Sequence, residues 1–533
     1  MGAVVNNRDA QGNIQTLLEL REENNPREQS SHRDWNPDWG SRNQIPGGWE
    51  FVGNDGDYGG NHTGNTNFMA SHEEKFNHPS ALKVIIATLC YVAEKSINYQ
   101  KNSAESIYQH ALQLTGESLS SKVDLPENLE NLRDRGKLGT LVEKYFFQIE
   151  PPNNHDPDFP EAGVELKVTG VLKDKSGKYV AKERLVLTMI NYDHIVNETW
   201  ASNAFFNKCK RMLIMFYQYA KEIPVVDRKF VLAPLMYEIP TTDLPVIKSD
   251  WEKIQAKVLQ GKAHELSEGD TFYLGACRKG SGGTKEKLKS QPFSTMGAPG
   301  RAFSLKQGYL NRLISDLQGE SALGVSADIS FEEATQQRFA PHLGTSIEDL
   351  SIQLNHQKRD KNHKNFHREL AMKILANGGS SVAEIAKAGI EMKTVRLQAN
   401  GKPKESMSFP AFDFMRIRSE LWEDSSFFEK IERKFLFVVY KFGTDGLERL
   451  EKVGYWNMPY SDRLEAQRVW LDTQRRVAVN SHDLPGMTES QVAHVRPKAR
   501  NGKDKGLTPQ GDFRTKQCFW LNASYIADVV SII

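Results

Sequence analysis

Apolar residues recur in two rhythms along this chain. From Pro79 to about Leu114, first Leu82, Ile85, Ile86, Leu89 and Val92, then Ile107, Ala111 and Leu114, fall at the three- and four-residue intervals of a helix face. Residues 139–147, GTLVEKYFF, continue as an amphipathic helix. Pro151, Pro152 and Pro160 then break the backbone, and in GVELKV the apolar Val164, Leu166 and Val168 alternate with Glu165 and Lys167, which reads as a strand. DKSGK is a turn signal and ERLVLTMINY a second strand, so the pattern predicts a hairpin carrying Glu165 and Lys167 on its first strand. Residues two apart on a strand share a face, so these two side chains are expected to point together.

The pattern is then repeated. QLTGESLSS is answered by HLGTSIEDL, GTLVEKYFF by NFHRELAMKIL, GVELKVT by GIEMKTV, and WASNAFFNKCKRML by WEDSSFFEKIERKFL. Glu143, Asp158, Glu165 and Lys167 recur as Glu369, Glu384, Glu391 and Lys393 with one constant offset, and Lys430 stands opposite Lys208. Further on, Trp251 to Lys279 matches Trp470 to Lys498 in length. Repeats this long predict duplicated domains. The expected division is a polar extension over 1–78, a first lobe over 79–320 and a second over 331–533, with a linker around 318–345.

At 533 residues the chain exceeds what one hydrophobic core usually holds, in agreement with that division. Residues 1–75 are rich in Asn, Gly, Asp and Glu. Their run Asn54 to Asp57 resembles a calcium loop only faintly, lacks the closing glutamate, and reads as a turn. No apolar stretch approaches the ~20 residues that span a bilayer, so no membrane partner and a cytoplasmic location are expected. Four cysteines without C-x-x-C pairs argue against a zinc site and a disulfide framework. Net charge is only +1, so affinity for phosphates has to come from local clusters: Lys208 to Arg211, Arg278 and Lys279 with Lys285, Lys287 and Lys289, and Arg496 to Lys505.

A carboxylate, six residues, a second carboxylate, one residue and a lysine is a spacing that can gather two metal ligands and an ammonium around one phosphate. Mg²⁺ is hard, selects oxygen ligands and keeps waters, so Asp158 and Glu165 are the candidate ligands. Lys167 can hold the attacking water or the scissile phosphate, and Glu143 can orient a ligand or a metal-bound water. A surface ion pair between strand carboxylates and a lysine is the structural alternative for any one copy.

The blocks LQLTGESLSSKVDLPENL, GKLGTLVEKYFF, DFPEAGVELKV, GKAHELSEGDTFYLGACRKG and GRAFSLKQGYL resemble the MutH mismatch-repair nicking endonucleases and, more closely, the Sau-type restriction endonucleases that cut GATC. That resemblance implies an α/β fold of two tandem PD-(D/E)-x-K restriction-endonuclease-like lobes, each a mixed sheet flanked by helices, with Mg²⁺, or Mn²⁺ in its place, at one end. Carried over by position, the metal ligands fall on Asp158 and Glu165, the catalytic lysine on Lys167, the helix glutamate on Glu143 and a further active-site lysine on Lys208. The base-reading loop falls on Arg278 and Lys279, and its better match in the second lobe is Arg496 and Lys498. Ser304 stands where the family has a tyrosine, and Arg135 where it has a lysine. The family's carboxy-terminal half is a DNA-binding effector, whereas Glu369, Glu384, Glu391, Lys393 and Lys430 nearly complete a second catalytic set. Glu384 adds a methylene at one ligand, so that lobe is expected to bind double-stranded DNA, with cutting as the alternative. The implied function is a type II restriction endonuclease, monomeric with pseudo-dimeric lobes or a homodimer on DNA. A methyl-directed repair nickase and a DNA-binding protein with decayed sites are the alternatives.

Overall fold

The computed structural model describes residues 7–8, 14–15, 99–126, 137–150, 156–280, 287–319, 331–356, 363, 365–376 and 381–533. The chain divides into two compact units, 1–91 and 92–533. In the first, Asn7–Arg8 pairs antiparallel with Ile14–Gln15. The helical pattern at 82–92, the turn at 54–57, Lys285 and Arg135 lie outside the described residues.

The second unit opens with α1 (Ala104–Leu112), capped by the Ser103 hydroxyl, which accepts from the Ser106 amide. Next, α2 (Lys137–Leu141) continues as a π turn over Val142–Phe146 that buries Val142 and Phe146. A mixed sheet follows, built from β1 (Glu165–Lys173) and β2 (Tyr179–Ala181). After β3 (Leu185–Met189) and α3 (Ala204–Cys209), β4 (Arg211–Gln218) and β5 (Leu235–Glu238) complete it, in the order β2-β1-β4-β5. β1 and β4 are parallel, with Glu165 opposite Met212, and the outer pairs are antiparallel. β3 leaves this sheet. With β6 (Leu274–Arg278) and β7 (Arg301–Leu305) it forms an antiparallel sheet of order β3-β7-β6; α4 (Leu244–Leu259) packs on β6, and α5 (Gln307–Leu317) packs on β2 of the first sheet.

The carboxy-proximal half repeats this plan. After α6 (Phe331–Phe339), α7 (Phe366–Ala376) and α8 (Ser381–Lys387) come β8 (Glu391–Leu397) and β9 (Met407–Ala411). Then follow α9 (Ser426–Ile431), β10 (Phe435–Phe442), β11 (Glu448–Trp456), α10 (Tyr460–Val479), β12 (Ala493–Pro497) and β13 (Gln517–Leu521). β8 and β10 are parallel with Glu391 opposite Phe435, β11 is antiparallel to β10, and β9-β13-β12 is the counterpart of β3-β7-β6. The matched registers establish the duplication at the level of topology.

Two expectations are corrected. Glu165 and Lys167 do not sit in a hairpin with ERLVLTMINY. Their end of β1 pairs with β4, only Val171–Lys173 meets a hairpin partner, and the Leu185 strand joins the other sheet. Alternation marks a half-buried strand without saying which sheet receives it. The stretch expected to be a linker contains α6, where Phe339 is fully buried and Thr335 and Gln336 hydrogen-bond Tyr455 and the Val453 carbonyl of β11. One buried apolar cluster runs through both halves, joining Val171, Phe216, Leu310 and Ile314 to Phe339, Leu370, Leu436 and Val453. A second lies wholly behind α2 and β1, and a third wholly in the carboxy-proximal half.

Candidate active site

The six residues between Asp158 and Glu165 close on themselves. Phe159 and Val164 exchange backbone hydrogen bonds (2.9 and 3.2 Å), the Gly163 amide donates to the Pro160 carbonyl, and Gly163 takes a left-handed conformation (φ 63°) that a side chain would strain. Proline lacks an amide hydrogen and drives the residue before it to extended backbone, so Phe159 stays in the bridge instead of winding into a helix. This loop returns Asp158 beside Glu165. The Asp158 amide donates to Glu165 Oε2 (3.2 Å), and Asp158 Oδ2 accepts from the Leu166 amide (2.9 Å).

Strand alternation brings Lys167 onto the same face, with Nζ 2.5 Å from Glu165 Oε1. Lys208 of α3 reaches Glu165 Oε2 from the other side at 3.6 Å. Glu143 faces the group from the π turn, a winding that is often found at functional sites. Burial, with repulsion from Asp158 and Glu165, pushes the Glu143 carboxyl up to about 7 against the pull of Lys167 and Lys208. Burial also pushes Glu165 up; burial works against the Lys167 ammonium, but the attraction and hydrogen bond of Glu165, together with the other negative groups around it, hold it above its usual value. The Cys209 thiol beneath is raised to about 12 by burial and takes no part as a thiolate.

Three carboxylates crowd two ammoniums here, and that surplus of buried negative charge fits a divalent cation with oxygen ligands. Among the described residues no three acidic, histidine or cysteine side chains close on a common point as a ready-made cage. Asp158 and Glu165 would hold the ion as a pair, leaving positions for water, as hard cations of this kind prefer.

The second set does not assemble. Glu391 meets Lys393 (2.7 Å) and Lys430 (3.8 Å) much as Glu165 meets its lysines. Glu384 is elsewhere. The six residues after it carry Ala386 where Pro160 stands and wind as α8. That helix ends in a Schellman turn at Gly389 (φ 64°), where the Ile390 amide reaches the Ile385 carbonyl and the Gly389 amide the Ala386 carbonyl. Glu384 therefore faces the first half, where it accepts a hydrogen bond from the Tyr273 hydroxyl and lies 3.8 Å from Lys387. Lys387 in turn binds both oxygens of Asp243 (2.7 and 2.8 Å) and lies over the Tyr273 and Tyr309 rings. Gly308 makes this approach close: a Cβ there would stand 2.1 Å from the Ala386 carbonyl. Glu369 is paired with His356 (3.1 Å) and His363 (4.0 Å). The sequence signal for this seam was the exchange of proline for alanine, while Tyr273, Asp243 and Lys387 carried none.

The base-reading candidates are scattered. Arg278 and Arg496 lie at the ends of the equivalent strands β6 and β12, followed by the exposed Lys279 and Lys498. Arg278 is 3.4 Å from Glu423 of the other half, Arg496 lies 4.5 Å over the Trp520 ring, and Lys498 donates to the Phe409 carbonyl (2.8 Å). Ser304 is 0% exposed in the middle of β7, opposite Gly275 and Val186, so in this conformation its hydroxyl is not offered to a groove.

The family model for the DNA mismatch repair enzyme MutH matches residues 147–250 and 375–462, one stretch in each half. The fold and the cluster define a restriction-endonuclease-like protein, a hydrolytic nuclease class that works with a divalent metal ion. The type II restriction enzyme Sau3AI of Staphylococcus aureus is 31% identical over 484 residues, covering 79% of this chain and 97% of that enzyme. MutH proteins of Serratia proteamaculans and Shewanella woodyi are 25% and 27% identical over 40% and 36% of the chain, covering 92% and 79% of their own lengths. The chain belongs to the family of MutH and Sau3AI-type endonucleases. Among the described residues no helix is long and apolar enough to cross a membrane.

Proposed function

We propose that this chain is a type II restriction endonuclease that cuts both strands of double-stranded DNA, at GATC, with Mg²⁺ held by Asp158 and Glu165 of the amino-proximal half. The observation that carries the reading is the five-residue cluster of Glu143, Asp158, Glu165, Lys167 and Lys208 in a chain that spans nearly all of a restriction enzyme. Mn²⁺ would serve in place of Mg²⁺. When bound, the metal would supply Lewis acidity and a more acidic water. The chain's own groups do the rest. Asp158 and Glu165 are laced together by backbone amides, so their oxygens are placed before a ligand arrives. Lys167 presents an ammonium to the scissile phosphate and to the attacking water, stabilising negative charge as it gathers. Lys208 offsets the remaining charge of Glu165 when a phosphate approaches. Glu143 holds or releases a proton near neutrality at the helix side of the site.

The carboxy-proximal half, with Glu384 committed to the seam, binds DNA through Arg496 and Lys498 and does not cut. The protein acts in the cytoplasm, as a monomer of pseudo-dimeric halves. Incubation of purified protein with Mg²⁺ and plasmids that contain or lack GATC tests this. Linear product from the GATC plasmid alone is expected. Nicked circles would favour the repair-nickase reading, and intact plasmid would end both.

A further inference from the structure

A cleft of about 630 Å³ lies between the halves, lined from one side by residues around Arg184 and α5 and from the other by α7, β8 and α9. That is the size of small-molecule sites. Among the described residues seven cationic side chains line it against four carboxylates. The carboxylates are already engaged. Glu268 is bound to Arg184 (2.8 Å), Glu429 to Arg433, Glu391 to Lys393 and Lys430, and Glu183 is 3.5 Å from Lys182. Three cations are left over, Lys306, Lys434 and Arg368. Lys306 is 5% exposed and donates to the Thr271 carbonyl, and Lys434 is 7% exposed and sits 4.7 Å over the Phe272 ring. Among the described residues neither has a carboxylate within ion-pair distance. Asp250 is near, but it is fully buried and spent on the amides of Phe272, Tyr273 and Leu274.

A buried ammonium that makes no direct ion pair is costly, and two facing one cleft are costlier. Burial pushes Lys306 down to about 8 against the pull of Glu268 and Asp250, with Lys434 adding to the push, and burial lowers Lys434 against the pull of Glu332. Arg368, donating to the Met392 carbonyl at 3.0 Å, adds a planar fork at the same wall.

The geometry points to this cleft as a binding site for a phosphate group, free or on a nucleotide, held by Lys306 and Lys434 with Arg368 and spanning the two halves. The site is separate from the Asp158 cluster and does not depend on the nuclease reading. A bound phosphate would supply counter-charge and tie the start of α5 to the segment between α9 and β10 across the seam.

The test is thermal unfolding of the full chain in EDTA, which removes metal-assisted phosphate binding at the Asp158 cluster. Inorganic phosphate and a 5′-phosphorylated dinucleotide are each compared with chloride at equal ionic strength. A saturable rise of about 3 °C over chloride is expected. The rise should vanish in Lys434→Met and Lys306→Met, which should themselves melt higher than wild type in chloride because an unpaired buried charge has gone. It should persist in Lys167→Ala. Equal effects of the two ligands would assign the site to phosphate alone, and a larger effect of the dinucleotide would assign it to a nucleic-acid end; both uphold the site. No rise over chloride, a rise retained in both methionine variants, or its loss in Lys167→Ala would overturn it. If the methionine variants do not fold, equilibrium dialysis of labelled phosphate against wild type decides, with one phosphate per chain expected and none overturning the site.

Discussion

In the amino-proximal half Glu165 shares its surroundings with two other carboxylates; in the other half Glu391 has its two lysines to itself. The ion pairs are nearly the same length, yet the groups respond in opposite directions. The Glu165 side chain is 3% exposed and its carboxyl is pushed up by burial, Asp158 adding to the push. Glu391 is 24% exposed, and Lys393 and Lys430 overcome its partial burial and hold it below the usual range. One cluster is short of positive charge and therefore fits a metal ion, while the other is already neutralised by its own lysines. Duplicated residues do not make a duplicated site: the backbone between the two acidic positions decides whether they meet.

The sharpest way to break this comparison is to remove the strand lysine from each half. Lys167→Ala should lower the rate of plasmid cleavage on the order of 10³-fold, the scale of losing a charge that stabilises the transition state. Lys393→Ala should stay within a few-fold of wild type. Conversion of linear product to nicked circles by either single variant would show that each half cuts one strand, and the contrast between the halves would fail.

The next effect is expected at the seam. Lys387→Met leaves Asp243 buried without its cation, and breaking a buried pair this way costs about 3 kcal/mol. Denaturant unfolding should show the loss, while cleavage at saturating Mg²⁺ keeps its rate. If unfolding is unchanged, the seam does not hold the halves together. Glu384→Asp, which restores the aspartate of the first half, should not create a second metal site, because position 384 is on α8 and its carboxylate is turned to Tyr273.

Much of the first cluster was legible in the chain because it is local. Strand alternation alone puts Glu165 and Lys167 on one face, and the proline and glycine at 160 and 163 mark a closed turn between the two acids. The second cluster misleads because its spacing is equally good. What differs is Pro160 against Ala386, a contrast that is visible in the sequence but acquires meaning only once Gly389 is seen to end a helix. Tyr273 and Asp243 were beyond reach, since their partners lie more than a hundred residues away. Ser304 was misleading for a related reason: a position matched to a base-reading residue carries no information on its own burial.

Metal binding should separate the halves by a smaller but direct measure. Calorimetric titration of Mn²⁺ into the protein without DNA should give weakening of roughly 10- to 100-fold in Glu165→Gln, the range seen when groups around a bound metal are altered. Glu391→Gln should leave the isotherm unchanged. Two equal sites in wild type, one lost in each variant, would contradict a self-neutralised second cluster.

The smallest expected effect is the most specific to charge. Glu143 has a folded value of about 7, above its ordinary 4.5, so its contribution to stability is fully present below pH 4.5 and is lost as the pH rises through 7. In EDTA, wild type should lose on the order of 2 kcal/mol relative to Glu143→Gln between pH 4.5 and 8, since a tenfold change in proton affinity is worth about 1.4 kcal/mol and solvent screens part of it. Glu391 moves the other way: its contribution is present above its ordinary value and is lost only as the pH falls through its lowered one, so Glu391→Gln should run parallel to wild type over that range. Adding Mn²⁺ should reduce the Glu143 difference, because a cation between the carboxylates would remove the repulsion that adds to burial in raising the group. A difference unchanged by saturating metal would mean that burial alone holds Glu143 up and that the ion is not felt at the helix.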